Sequence, residues 1–172
     1  GGASVAARRG VGDPSASLVV LAVRAPIDAV APALETERGG RQWSRDVFGR
    51  DGWCAGDEGI VVYRLRGHAW TLAQSACLDA RALRARDAQR LSSALACDAL
   101  LLELCEASGV LRYALYAAGQ RVEELGLRRD GRLVFASSRE PALGAADDAS
   151  PTAFLDARLG ALALAGPGVG RD

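Results

Sequence analysis

The 172-residue chain contains one histidine, His68, which follows Gly67 where two strand-like runs meet, Ile60–Arg66 and Ala69–Leu72. Histidine is the side chain whose unperturbed pKa lies near neutrality, so acid–base chemistry would centre on this pair. Arg64 and Arg66 stand just before it, about 7 Å apart on one strand face by the strand rise. Two guanidinium groups so placed can fork onto a carboxylate or a phosphate. A general base also needs an orienting carboxylate and a nucleophile to serve, and no fixed spacing supplies either. Cys54 could meet His68 only in space, and no motif supports that pairing. The residues therefore describe a binding group, and no catalytic residue is assigned.

Trp43, Trp53 and Trp70 join the candidate binding set, because tryptophan and arginine dominate interface hot spots. The chain has only three Trp, three Tyr and three Phe, so the same indoles are also needed as core anchors. The arginines at Arg81, Arg84, Arg86 and Arg90 read as a solvated helix face, diluted by Asp79 and Asp87. Glu123 and Glu124 are neighbours on a strand and point to opposite faces, so they cannot converge as a catalytic pair.

Composition excludes several chemistries. All 21 basic residues are arginine, balanced by 21 acidic ones. Without lysine there is no Schiff base and no phosphate-loop lysine. One histidine rules out the two- and three-histidine zinc sites. Cys54, Cys77, Cys97 and Cys105 form no Cys-x-x-Cys pair and read as reduced, mostly buried thiols. No metal and no cofactor is expected. Zero net charge gives no general pull toward nucleic acid or an anionic membrane. Lysine, asparagine and methionine are absent and isoleucine occurs only at Ile27 and Ile60, a bias that suggests a GC-rich bacterial genome. The apolar run Leu18–Val23 is too short for a membrane span or a signal-peptide core, which makes the cytoplasm the expected location.

The elements that must position these groups follow from periodicity and turn signals. Residues 1–16 read as a flexible lead-in and 165–172 as a flexible tail, with one domain over 17–164. Leu18–Arg24 is an unbroken apolar strand. Ile27, Val30, Ala31 and Leu34 then mark a helical face that must accommodate Pro32. Residues 42–58 form a long aromatic connection. The Gly67-His68 pair suits a two-residue type II′ hairpin with Gly67 at its first central position. A helix is expected over Asp79–Ala96. Strands over Leu100–Glu106, Val110–Tyr116, Arg121–Leu127 and Leu133–Ser137 follow, separated by Ser-Gly, Ala-Gly and Asp-Gly turns. Ser150-Pro151 opens a last helix, Thr152–Leu164. The fold class is α+β: a single domain with a mostly antiparallel meander sheet and two or three helices packed on one face.

Four stretches resemble a set of uncharacterised bacterial proteins: Leu21–Val30, Arg66–Thr71, Leu91–Leu95 and Gly109–Gly119. The specific part is a Gly-His-x-Trp-Thr hairpin, here Gly67 to Thr71. The resemblance implies the fold and carries over no catalytic residue. The expectation is a non-catalytic protein that binds another macromolecule, as an immunity-type or regulatory partner, through Trp43, Trp53, Arg64, Arg66, His68 and Trp70. The alternative is a small-molecule site for an anionic ligand, or a small hydrolytic enzyme, around His68, Arg64 and Arg66.

Overall fold

The computed structural model describes residues 17–39, 60–76, 82–105, 107–145 and 150–164. Trp43, Trp53, Cys54 and Cys77, with the expected lead-in and tail, lie outside the described residues. Seven strands form one sheet: β1 (Ser17–Val23), β2 (Val61–Tyr63), β3 (Thr71–Ala76), β4 (Asp98–Cys105), β5 (Val110–Ala117), β6 (Gln120–Leu127) and β7 (Leu133–Ser137). Their order is β2-β3-β1-β4-β5-β6-β7, and every neighbouring pair is antiparallel. β4 to β7 form the expected meander. β1 sits between β3 and β4, which explains its continuous apolar sequence.

Among the described residues three α-helices accompany the sheet: α1 (Ile27–Arg38), α2 (Ala85–Ala94) and α3 (Pro151–Ala161), with a 3-10 turn at Pro141–Ala145. Helix α1 keeps Pro32 inside it, on its exposed side, where the carbonyl left without an N–H donor is open to water. Helix α2 is shorter than expected. Its start is set by Asp87, whose carboxylate accepts the Arg84 main-chain N–H at 2.8 Å and the Arg38 guanidinium at 3.1 Å, tying α2 to α1.

Strand alternation divides the core. Val19, Leu21, Val23, Ala99 and Leu101 face one side, where Val30 and Leu34 of α1 and Ala88 and Leu91 of α2 cover them. Ala22, Leu100, Tyr113, Leu115 and Leu125 face the other side, against Phe154 and Leu155 of α3 and Leu162 just beyond it. Two helices thus share one face as expected. The third takes the opposite face, because Leu100, Leu102, Leu115 and Leu125 give that face its own apolar surface to bury.

Candidate functional site

The expected site lies on the chain between β2 and β3. The ladder ends at the Tyr63–Leu72 pair, so residues 64–70 form the connection. This replaces the two-residue hairpin. The His68 N–H donates to the Leu65 carbonyl at 3.0 Å, and Gly67 has φ +74°. Gly67 is therefore third in a four-residue turn, the position of type II that demands positive φ. The longer loop arises because His68 and Trp70 both turn inward toward α3 instead of continuing a ladder.

His68 is only 3% exposed and Trp70 is fully buried. Nε2 of His68 lies 3.0 Å from the Leu164 carbonyl, and Nδ1 lies 3.2 Å from the Trp70 carbonyl and 3.4 Å from the Trp70 N–H. With the proton on Nε2, the ring donates to Leu164 while Nδ1 accepts from Trp70; a doubly protonated ring donates to both carbonyls. In either state both ring nitrogens face main chain. The Trp70 indole N–H donates to the Leu162 carbonyl at 2.8 Å, and the Arg24 guanidinium stands 5.8 Å from the ring centroid.

These bonds meet a helix end that closes itself as a Schellman motif. Ala163 takes φ +57°, its N–H donates to Gly160 at 3.0 Å, and the Leu164 N–H donates to Leu159 at 2.9 Å. Trp70 and His68 then occupy the carbonyls of Leu162 and Leu164. The result is a clasp between the loop and the C-terminal end of α3.

Above the clasp the loop is presented outward. Arg64, Leu65, Arg66 and Gly67 are all exposed, and Leu65 is among the few large apolar side chains of the described residues left in solvent, at 45%. Nε of Arg64 donates to the His68 carbonyl at 2.9 Å, bracing the turn from above. The structure therefore separates the four described candidates. Arg64 and Arg66 are on the surface, while His68 and Trp70 support it from below and are not themselves accessible.

A second polar constellation was not anticipated. Glu123 on β6 is 2% exposed and faces α3. Arg158 grips it in a fork, Nη2 to Oε1 at 2.7 Å and Nε to Oε2 at 3.0 Å, and the Tyr113 hydroxyl donates to Oε2 at 2.7 Å. A further Arg158 nitrogen reaches Glu140. Burial alone would push the Glu123 carboxyl up; the bonds from Arg158, Tyr113 and Ser137 outweigh it and hold the group below the usual carboxylate range. Burial, then the Glu123 carboxylate, push the Tyr113 phenol well above the tyrosine range. The Arg158 guanidinium also stands 5.7 Å from the Phe135 ring, which meets Phe154 edge-on at 4.9 Å. The acid's lone pairs are occupied by protein groups, so this arrangement fastens α3 to the sheet and presents no open acid or base.

A sequence signal for the pair existed. Arg158 lies on the stripe marked by Phe154, Leu155 and Leu162, and Glu123 shares its strand face with Leu125. A charge inside an apolar stripe calls for a buried partner. Elsewhere, Cys97 is a free thiol whose ionisation burial disfavours. Among the described residues no three His, Cys, Asp or Glu side chains gather as a metal site needs, and no helix there is long and apolar enough to cross a membrane.

Compared with protein-family models, with curated proteins and with solved structures, the chain finds no match.

Proposed function

We propose that the protein works by binding another macromolecule without catalysis, as an immunity-type or regulatory partner, and that the loop Arg64–Gly67 makes the contact. One observation carries the reading: an exposed Leu65 stands between two exposed guanidinium groups on a turn anchored to the core from beneath. Such a turn loses little conformational entropy on binding, since its main chain is already closed by Leu65–His68 and clasped to α3. The apolar side chain supplies area to bury and the arginines supply directional bonds to carboxylates, so an acidic protein surface with a shallow apolar dent is the complementary partner. The alternative of chemistry at His68 has less support, because its ring nitrogens both face main-chain groups.

The test places a photo-crosslinking amino acid at position 65 and expresses the chain in the cells that naturally make it. One discrete heavier adduct is expected, lost when R64E and R66E are combined and not formed from the same probe at Ala107, in the turn between β4 and β5. Equal labelling from both positions, or an adduct indifferent to the charge reversals, would contradict the reading.

A further inference from the structure

The far edge of the sheet carries a second surface. β7 is the last strand, and among the described residues its main chain bonds only to β6. At one end of that ladder the Arg128 N–H donates to the Arg132 carbonyl, and at the other the Ser138 N–H donates to Val122. Antiparallel bonding alternates residue by residue. The even-numbered residues of β7 therefore bond β6, while Leu133, Phe135 and Ser137 direct their N–H and C=O groups outward from the sheet.

The strand itself lacks the sequence devices that normally blunt an edge, although the 3-10 turn Pro141–Ala145 packs near it. Leu133–Ser137 contains no charge and no proline, and its register with β6 is unbroken. Val134 is 48% exposed and Ala136 is also exposed, on the face that α1 and α2 leave open.

We infer that β7 is a strand-pairing surface for a second copy of this chain, joined antiparallel about a two-fold axis at Phe135. That register sets Phe135 opposite itself and Leu133 opposite Ser137 of the second copy, each pair exchanging two main-chain bonds. Val134 then faces Ala136 of the second copy on the open side. Charge fits the same arrangement. The turn before β7 carries Arg128, Arg129 and Arg132 against the single Asp130. After β7, Arg139 is neutralised by Asp98 at 2.7 Å, while Arg158 is shared by Glu123 and Glu140, leaving that end negative. Antiparallel pairing lays each positive end beside the other copy's negative one. A two-fold contact uses the same edge on both copies, so it closes as a dimer and does not propagate.

The test is sedimentation equilibrium on the full chain. The expected limiting mass at high concentration is twice the 17.9 kDa of one chain. V134K/A136K should return the single-chain mass, because like charges then face each other directly across the junction. Both positions are exposed, and an unchanged circular dichroism spectrum confirms the fold. V134E/A136K should restore the dimer, since that register makes the facing pairs opposite in sign. A wild-type chain that stays monomeric or grows beyond a dimer overturns the inference. So does a dimer indifferent to V134K/A136K, or one that V134E/A136K fails to restore.

Discussion

The indole nitrogen of Trp70 reaches across 92 positions of sequence to the carbonyl oxygen of Leu162, 2.8 Å away in the interior. It joins the base of an exposed loop to the end of the helix covering one sheet face. Trp70→Phe keeps most of the ring and deletes the donor, leaving a buried carbonyl unpaired. The expected cost is about 1–3 kcal/mol in denaturant unfolding, the penalty for an orphaned buried polar group. A change within about 0.5 kcal/mol, the range typical of surface substitutions, would show that the bond does not hold the loop.

Gly67→Ala isolates backbone strain from crowding. A Cβ at Gly67 would meet no atom within 4 Å, yet φ there is +74°. Destabilisation of about 1 kcal/mol is expected from the left-handed conformation alone. An unchanged melting temperature would mean that the turn relaxes freely and is not held as described.

The converse substitution should stabilise. Ala163 closes α3 at φ +57°, a position that favours glycine. Ala163→Gly is expected to raise stability by several tenths of a kcal/mol up to about 1 kcal/mol, measured by chemical unfolding. A loss of stability would place the helix end elsewhere.

The β4–β7 meander was largely legible in the sequence. Alternating strands and the Ser108-Gly109, Ala118-Gly119 and Asp130-Gly131 turns are local signals, and each strand of the β4–β7 meander lies within two residues of its expected limits. The loop at Gly67 was half legible: glycine announced a positive φ, but not which turn position it would fill. That was decided by α3, nearly a hundred residues away, drawing His68 and Trp70 inward. The Glu123–Arg158 pair was hidden for the same reason, since a strand and a helix 35 positions apart meet only after the sheet forms. The neighbouring Glu124 points to the opposite face, and the informative comparison for Glu123 is with Leu125 on its own face.

That pair predicts a pH dependence. The folded carboxyl of Glu123 lies below its ordinary value, so its contribution is complete above about pH 4.3, the unfolded value, and is lost as pH falls through the lower folded one. Asp98 behaves alike, held low chiefly by its bond from Arg139. Stability should therefore fall on acidification, and Glu123→Gln should flatten that slope while lowering stability at neutral pH. An identical slope in wild type and variant would remove Glu123 from the account. Arg158→Met, which leaves the carboxylate buried without its cation, should cost about 3–5 kcal/mol.

The central claim is that Leu65 and its flanking arginines make the contact while His68 and Trp70 only hold them. The direct measurement is the dissociation constant of the partner recovered by crosslinking at position 65, compared between wild type and Leu65→Ala. Binding should weaken roughly tenfold or more, about 1.4 kcal/mol, with the melting temperature unchanged, because Leu65 touches the partner and not the core. Equal affinity for the two chains, at equal stability, would contradict the claim.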